Sequence, residues 1–328
     1  MGEMRLGTIG SGMIVRKVLE AVQVTEGIRC EAVYSRDEST GRTLAGRHGV
    51  RKVYTRLEDL LVDPEVDFVY IASPNDLHYP QARMALEHGK NVICEKPMTP
   101  TKPEAETLVR LARERALLLI DAVPTAYLAN LRVIREQLPK VGRVRLVLSS
   151  FSQYSSRYDE LLQGGLPNVF SLDHAGGALQ DIGFYNVYLG VALFGRPRSA
   201  VYHPNRFRGG VDTSGILVLE YDDFVCSCAG AKDTWGVNSV QIEGETGFLH
   251  IQGGPQALTD VRVVTKTSDE TYNKQTTTNR WLLEVQGWVE HVASGDRRFF
   301  DDCLETMLDV VEVMESARKQ AGIRFTGE

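Results

Sequence analysis

The chain has 328 residues, of which 43% are hydrophobic and 24% are charged, and its formal net charge is −6 at pH 7. This length favours two domains, because a single hydrophobic core stops growing near roughly 250 to 300 residues. The composition is ordinary for a folded protein and excludes the collagen-like and disordered classes. The acidic balance, with arginines scattered rather than clustered, argues against a nucleic-acid partner.

The sequence predicts no membrane or secretory segment. The amino terminus runs directly into an apolar strand pattern, and no stretch approaches the roughly 20 apolar residues of a membrane span. The five cysteines lack zinc-ligand spacing and are expected to be reduced, and the seven histidines are scattered. We therefore expect a cytoplasmic protein without a metal site.

The first motif is a glycine-rich turn between a predicted strand at Met4 to Ile9 and a predicted helix. Gly10 permits a tight turn, and Gly12 lets backbone amides approach a pyrophosphate beside the positive end of the helix dipole. Val15 stands where the dinucleotide-binding fingerprint has Gly or Ala, and a lone Gly-x-Gly is as often only a turn. The candidate cofactor-binding residues of this turn are Gly10, Ser11, Gly12, Met13 and Ile14.

The second strand, predicted from Ile28 to Ser35, should end where the adenosine ribose of a dinucleotide binds. A carboxylate at position 35 would accept hydrogen bonds from both ribose hydroxyls and repel a 2′-phosphate. Ser35 followed by Arg36 suits the phosphate instead. The sequence therefore predicts NADP as the preferred cofactor, with NAD possible. In the alternative interpretation Arg36 is a surface residue and Asp37 binds the ribose.

Alternating strands and helices continue through Ala122 and predict a doubly wound parallel sheet, an α/β Rossmann domain over residues 1–122. Thr101 and Glu104 have the spacing of a capping box at the start of one helix. Further strands are predicted at 53–54, 67–72, 92–94 and 117–122, and further helices at 38–47 and 57–61.

Two of these strands end in polar residues, at the edge where open α/β sheets bind ligands. Asn75 could support the cofactor or the substrate, whereas Asp76 is favoured as a helix cap. His78 alone is more typical of a structural residue than of a catalyst, and Glu95 with Lys96 could be a solvated loop pair. The candidate cofactor-binding residues of this edge are Ser73, Pro74, Asn75, His78, Glu95 and Lys96.

From Val144 onward the pattern changes to meander-like strands, which predict an α+β domain with a mostly antiparallel sheet over residues 123–328. A predicted helix beginning near Gly176 carries Asp181 and Tyr185 four residues apart, and so on one face. The pair could be catalytic, but on these residues alone a hydrogen-bonded pair in a domain interface is favoured. Strands are predicted at 145–151, 216–221, 224–228, 239–243 and 261–266, and closing helices at 281–292 and 302–317.

The order of four motifs resembles the Gfo/Idh/MocA oxidoreductase family over nearly the whole chain. They are the glycine turn, Ser73-Pro74-Asn75-x-x-His78, Glu95-Lys96-Pro97, and Gly176-Gly177-Ala178-Leu179-x-Asp181-Ile182-Gly183-x-Tyr185. The resemblance implies an amino-terminal Rossmann domain and a carboxyl-terminal open-faced sheet with the substrate pocket. It also implies oxidation or reduction of a small sugar, cyclitol or diol. An open sheet face would need a cover, which suggests a homodimer or a dimer of dimers.

The resemblance assigns Lys96 the contact with the reacting oxygen. Tyr185 stands where many members carry histidine. The tyrosine resembles the branch of glucose-fructose oxidoreductase and dimeric dihydrodiol dehydrogenase, whose members use NADP. The candidate catalytic residues are therefore Lys96, Tyr185 and Asp181. Tyr185 would move the proton, Lys96 would assist it and polarise the substrate oxygen, and Asp181 would orient the substrate or Lys96.

Two features leave alternatives open. Asp121 and Ala126-x-x-Ala129 depart from the glutamate and Arg-x-x-Pro pattern common in the family, so the substrate is not specified. The same fold also serves glycosidases that oxidise their substrate transiently with NAD, and non-catalytic NAD(P)-binding sensors. Retention of Lys96, Asp181 and Tyr185 favours an enzyme over a sensor.

Overall fold

The computed structural model describes residues 3–328 and divides them into two compact units. Unit 1 contains the residues up to Val123 together with Trp281–Glu305, and unit 2 contains Pro124–Arg280 and Thr306–Glu328. The sequence analysis expects a single boundary after residue 122. The structure instead groups the late segment 281–305 with unit 1. Among the described residues, no helix has both the length and the apolar character that a membrane crossing needs.

Unit 1 contains a sheet of six parallel strands, in the order β3-β2-β1-β4-β5-β6. This is the doubly wound order that binds dinucleotides at the carboxyl ends of its strands, so the predicted Rossmann fold is confirmed. The strands are β1 (Met4–Ile9), β2 (Ile28–Tyr34), β3 (Lys52–Tyr54), β4 (Phe68–Ile71), β5 (Asn91–Glu95) and β6 (Leu119–Ala122). The helices between them are α1 (Met13–Val22), α2 (Glu38–His48), α3 (Leu57–Leu61), α4 (Asn75–Glu87) and α5 (Lys102–Glu114).

Two predicted helix caps differ from the structure. Thr101 is the N-cap of α5, but its hydroxyl donates to the Glu104 carboxylate at 2.8 Å and makes no capping bond to the backbone. Pro74 is the N-cap of α4, so Asp76 lies within the first turn instead of capping it. A carboxylate is still favourable at this position, because the first turn carries the positive end of the helix dipole.

Unit 2 contains an eight-stranded sheet in the order β14-β13-β12-β11-β7-β10-β9-β8. Only β7 and β10 pair in parallel, so the predicted mostly antiparallel sheet is confirmed. Three strands were not predicted from the sequence: β8, β12 and β14. The strands are β7 (Val144–Ser152), β8 (Ser199–Arg206), β9 (Asp212–Glu220), β10 (Val225–Ala231), β11 (Ser239–Gly244), β12 (Gly247–Gln252), β13 (Val261–Thr265) and β14 (Asp269–Tyr272).

The two faces of this sheet differ in burial. Val147, Cys226 and Leu217 alternate with exposed neighbours and lie on a buried face. Residues directly opposite each other on paired strands share a face, and this places Leu148, Ile216 and Val225 on the other side. Their relative exposures of 42%, 48% and 41% define an open apolar face within unit 2.

The remaining helices are α6 (Ala129–Gln137), α7 (Ser156–Leu162), α8 (Phe184–Phe194), α9 (Arg280–Ser294) and α10 (Arg297–Gln320). Immediately before α8, residues Leu179–Gly183 form a π-helical turn. Because a π turn is wider than an α turn, the predicted regular helix face with Asp181 and Tyr185 four positions apart is interrupted here. Such π turns are frequent at functional sites.

Candidate functional site

The glycine turn of unit 1 has the geometry that a dinucleotide requires. Gly10 has φ +115°, and a Cβ atom there would lie 2.6 Å from the Ala72 carbonyl oxygen. Gly12 is the N-cap of α1 and provides no side-chain cap. A Cβ atom on Gly12 would meet no described atom within 4 Å. The first turn of α1 therefore faces open space with its amide groups uncapped, which fits a pyrophosphate.

The other predicted residues of this region divide by exposure. Ser11 and Ile14 are half-buried, and the Met13 side chain is 61% exposed. Ser35 is buried, whereas Arg36 is exposed. The Asp37 carboxylate caps α2 by accepting from the Thr40 backbone N–H at 2.8 Å and from its hydroxyl at 2.5 Å. One carboxylate oxygen of Asp37 is thus already used within the protein.

Sequence reasoning missed a polar cavity beside this turn. The cavity has a volume of about 190 Å³ and is lined by Ser11, two arginines, three hydroxyl-bearing residues of α2 and Leu44. The arginines are Arg16 and Arg47, and neither guanidinium makes an ion pair with another residue in the described range 3–328. Two guanidinium groups without an ion pair in that range give unit 1 a local positive surface here.

His78 holds two loops of the strand edge together. Its ring is 1% exposed, and Nδ1 and Nε2 lie 3.0 Å and 2.9 Å from the carbonyl oxygens of Pro97 and Ser73. Burial lowers the pKa of His78, and this effect outweighs the two carbonyl groups, which raise it. Both ring nitrogens are engaged by the backbone, so His78 fixes the turn around Pro97, and its predicted cofactor contact stays a prediction.

The neighbouring predicted residues of this edge have their own contacts. The Ser73 hydroxyl lies 2.7 Å from the Gln81 side-chain oxygen. Pro74 and Asn75 begin α4 and are half-buried. These three residues therefore stay at the carboxyl edge of the sheet, as the sequence predicts, with Ser73 also fastened to its own helix.

Glu95 and Lys96 differ in burial although they are adjacent. Glu95 is buried and accepts from the Tyr70 hydroxyl at 2.7 Å and from the Lys96 backbone N–H at 3.2 Å. Lys96 is half-buried at the carboxyl end of β5. The two residues are not a solvated loop pair, because the carboxylate points into the fold.

Asp121, where the family commonly has glutamate, is fully buried at the carboxyl end of β6. Neither of its carboxyl oxygens has a hydrogen-bond partner among residues 3–328. Burial raises the pKa of Asp121 well above its usual range, the Glu95 charge raises it further, and the Lys96 charge opposes both. This carboxyl group is therefore biased towards its neutral form.

In unit 2 the second glycine of the last motif packs against a buried carboxyl group. Gly177 has φ +124°, and a Cβ atom there would lie 2.1 Å from Oδ1 of Asp212. The other oxygen of Asp212 accepts from the Leu179 backbone N–H and from the Tyr202 hydroxyl, both at 2.7 Å. Burial raises the pKa of Asp212, although the hydrogen bonds oppose the change. The start of the π turn is thereby fixed to β9.

The π turn presents Asp181 to a buried lysine. Asp181 forms an ion pair with Lys232, which follows β10, and the side-chain exposures are 34% for Asp181 and 7% for Lys232. Tyr185 is 5% exposed and packs edge-on against Phe151 with ring centroids 5.6 Å apart. The Arg280 guanidinium lies 5.4 Å from the centre of the Tyr185 ring, a cation–π contact.

The structure thus brings the predicted residues together in two groups. Unit 1 carries the glycine turn, the 73–78 loop and Lys96, and unit 2 carries Asp181 and Tyr185. Lys232 and Arg280 were not predicted, because only long-range pairing reveals them. Across residues 3–328, no three His, Cys, Asp or Glu side chains are grouped so that they could hold a metal ion.

Comparison with known proteins gives a consistent result. A model of an oxidoreductase family with an NAD-binding Rossmann fold (GFO_IDH_MocA) matches residues 4–121, and the model of the GFO/IDH/MocA C-terminal domain matches residues 137–250. A scyllo-inositol 2-dehydrogenase (NADP(+)), IolU of Bacillus subtilis, is 31% identical and covers 99% of both chains. The chain belongs to the Gfo/Idh/MocA oxidoreductase family. The resemblance stated from the motifs is confirmed.

Two further proteins are similar to the chain. The uncharacterized oxidoreductase YgjR of Escherichia coli is 38% identical over 248 residues, which cover 76% of each chain. The crystal structure of a 3-ketoreductase from Actinomadura kijaniata with NADP and TDP-benzene has a TM-score of 0.84 and is 25% identical, covering 98% of both chains. The coverage of IolU and of the ketoreductase extends over both units, so the family relationship applies to the whole chain.

Substitutions of the two glycines of the turn should impair different properties, stability in one case and nucleotide binding in the other. We expect Gly10→Ala to lower the free energy of unfolding by roughly 1 to 3 kcal/mol, because the positive φ and the Ala72 carbonyl both oppose a side chain. Gly12→Ala should leave stability nearly unchanged and weaken nucleotide binding, because its methyl group would enter the open space. Denaturant unfolding and calorimetric titration with NADP measure the two effects. If Gly12→Ala lowered the free energy of unfolding as much as Gly10→Ala, the assignment of Gly12 to nucleotide binding would be contradicted.

Proposed function

We propose that the chain catalyses reversible hydride transfer between the nicotinamide of NADP(H) and a hydroxyl-bearing or carbonyl carbon of a sugar, cyclitol or diol. The observation that carries the proposal is the match to an NADP(+)-dependent inositol dehydrogenase over 99% of both chains. The open glycine turn and the polar group of Asp181 and Tyr185 support it, since they supply a nucleotide cradle and a proton-transfer group.

Several residues of unit 1 would hold the dinucleotide. The amide groups at Ser11 and Gly12 suit the pyrophosphate, and Arg36 suits the 2′-phosphate, with Arg16 and Arg47 adding positive charge. Asp37 is occupied as the cap of α2, which favours Arg36 over Asp37 as the residue that selects the cofactor. A bound nicotinamide would supply the hydride acceptor or donor.

The proposed chemistry of the protein concerns the proton and the substrate oxygen. The Lys96 ammonium would donate to the substrate oxygen and stabilise the negative charge that develops there. The Tyr185 hydroxyl would give its proton to that oxygen during reduction and take it back during oxidation. Asp181, which is partly exposed, would accept from a neighbouring substrate hydroxyl and so orient the polyol.

Cofactor choice can be tested at Arg36. We expect Arg36→Ala to weaken NADP binding by about 10- to 100-fold, the usual effect of losing a hydrogen bond to a charged group, and to leave NAD binding nearly unchanged. Arg42→Ala is the control, because Arg42 lies on α2, the helix that begins just after Arg36, and already pairs with Glu38. Calorimetric titration with both nucleotides gives the ratio of dissociation constants. An equal loss for NADP and NAD would exclude Arg36 as a phosphate ligand.

The catalytic proposal can be tested at Tyr185. Tyr185→Phe should lower kcat by about 10² to 10⁴, the usual contribution of general acid–base catalysis. Reduced-nicotinamide absorbance would be followed with a panel of inositols, aldoses and trans-diols. Tyr188→Phe, one turn further along α8, is the control. Unchanged turnover in Tyr185→Phe would remove Tyr185 from the mechanism, and a wild-type protein that binds NADP without net turnover would favour the glycosidase or the sensor.

We also propose that a two-fold dimer covers the open face of the unit 2 sheet, because Leu148, Ile216 and Val225 expose apolar surface there. Ile216→Glu should convert a dimer to a monomer, since two copies of the charge would be buried in an isologous interface. Val62→Glu, at an even more exposed apolar residue of unit 1, should leave the dimer intact. Light scattering at micromolar concentration measures the mass, and a monomeric wild-type protein would refute the proposal.

A further inference from the structure

Lys232 is a buried lysine for which the motifs provide no role. The residue is 6% exposed and lies directly after β10, which ends at Ala231. Its backbone is held on both sides, because its N–H donates to the Thr213 carbonyl at 2.8 Å and its carbonyl accepts from the Ser155 N–H at 2.9 Å. The position of the ammonium group is therefore set by the sheet and by the segment that follows β7.

The ammonium group has one carboxylate partner. Among the described residues, the ion pair of Lys232 is with Asp181, and its next close contact is the Phe170 ring, whose centre lies 5.9 Å away. An ammonium group loses much of its hydration when it is buried, so it needs this carboxylate. The pair is asymmetric, since Lys232 is enclosed and about a third of the Asp181 side chain is accessible.

This asymmetry distinguishes the pair from a purely stabilising one. Replacing a buried ion pair by apolar side chains is often neutral or even stabilising, so burial alone gives little reason to keep a lysine here. The carboxylate, however, lies on the π turn that precedes Tyr185, in the same unit. A fixed cation behind Asp181 would keep its carboxylate ionised and oriented, and about a third of the side chain is accessible to a hydroxyl donor.

We propose that Lys232 is a positioning residue of the substrate site: it holds the Asp181 carboxylate ionised and oriented as the acceptor for a hydroxyl group of a polyol substrate. The inference rests on the proposed function and adds to it a residue and a preference. The preferred compounds have a second hydroxyl next to the reacting carbon, because Asp181 would accept from that hydroxyl while Tyr185 serves the reacting oxygen.

The test uses Lys232→Met, Lys232→Arg, Asp181→Asn and the double variant in the full chain with NADP bound. The probe is scyllo-inositol, followed by the other members of the panel. Lys232→Met should lower kcat/KM by about 10- to 100-fold, mostly through a higher KM, as expected for a lost charge-assisted hydrogen bond. Lys232→Arg should recover part of the loss, because it restores the charge.

The double variant separates positioning from structure. If Lys232 acts through Asp181, adding Lys232→Met to Asp181→Asn should cost less than about twofold further in kcat/KM. If the two substitutions lowered kcat/KM by the product of their separate effects, the proposal would be overturned. It would also be overturned if kcat/KM of Lys232→Met were within twofold of the wild-type value. Lys140→Met is the matched control, since Lys140 pairs with Glu270 at the surface of the same unit.

NADPH binding and thermal unfolding show whether a loss of activity comes from misfolding. Activity of the wild-type protein shows whether the proposed function itself is wrong. NADPH binding and the thermal unfolding midpoint should be unchanged in Lys232→Met, because the methionine keeps the apolar stem beside Phe170. A lower midpoint together with a changed NADPH affinity would assign Lys232 to the fold and refute the proposal. If the wild-type protein neither binds nor turns over any panel compound, the proposed function fails and the inference fails with it. An active wild type with an unaffected Lys232→Met refutes the inference alone.

Discussion

The buried carboxyl group of Asp212 fixes the part of unit 2 on which the polar site depends. One oxygen receives the Leu179 N–H and the Tyr202 hydroxyl, and the other lies where only a glycine at position 177 leaves room. These contacts set the point at which the chain leaves its extended path and enters the π turn. Asp181 and Tyr185 owe their positions to this anchor, because the turn determines where each side chain emerges.

In unit 1, too, some polar residues of the motifs fix the backbone instead of pointing to the edge of the sheet. His78 links the loop after β4 to the turn after β5. The Tyr70 hydroxyl donates a hydrogen bond to the Glu95 carboxylate inside the fold. Lys96 follows directly after Glu95 and stays half-buried at the strand end. Two of the polar residues in the motifs, His78 and Glu95, thus fix the backbone at this edge of the sheet.

Most of the fold could be predicted from the sequence because its signals are local. The strand before Gly10, the helices at 38–47 and 57–61 and the strands around Val92 and Ile242 follow from apolar periodicity and turn residues. β8 and β14 were missed because they are polar edge strands, one of which contains Pro204, and pairing with a neighbour decides their conformation. The π turn was also missed, since apolar spacing does not distinguish it from an α turn.

The candidate site could be predicted only in part, for a similar reason. The motifs identify which residues lie at strand ends, but the direction of each side chain depends on partners far away in the chain. Glu95 points into the fold because it accepts a hydrogen bond from Tyr70. His78 does so because its ring nitrogens contact the carbonyl groups of Ser73 and Pro97. Lys232 pairs with a residue 51 positions earlier, and no spacing rule connects the two.

The partners of three aspartates explain how the chain can keep one carboxylate charged among several that are buried. Asp121 has no hydrogen-bond partner within residues 3–328, and Asp212 has only uncharged donors, so burial raises the pKa of both. Asp181 forms an ion pair with a buried lysine and keeps part of its side chain in contact with solvent. A negative charge is costly where no cation or water compensates it, and is retained where a cation lies behind it. For the proposed polyol site, the ionised acceptor is therefore expected at Asp181, and its pairing with Lys232 provides the physical reason.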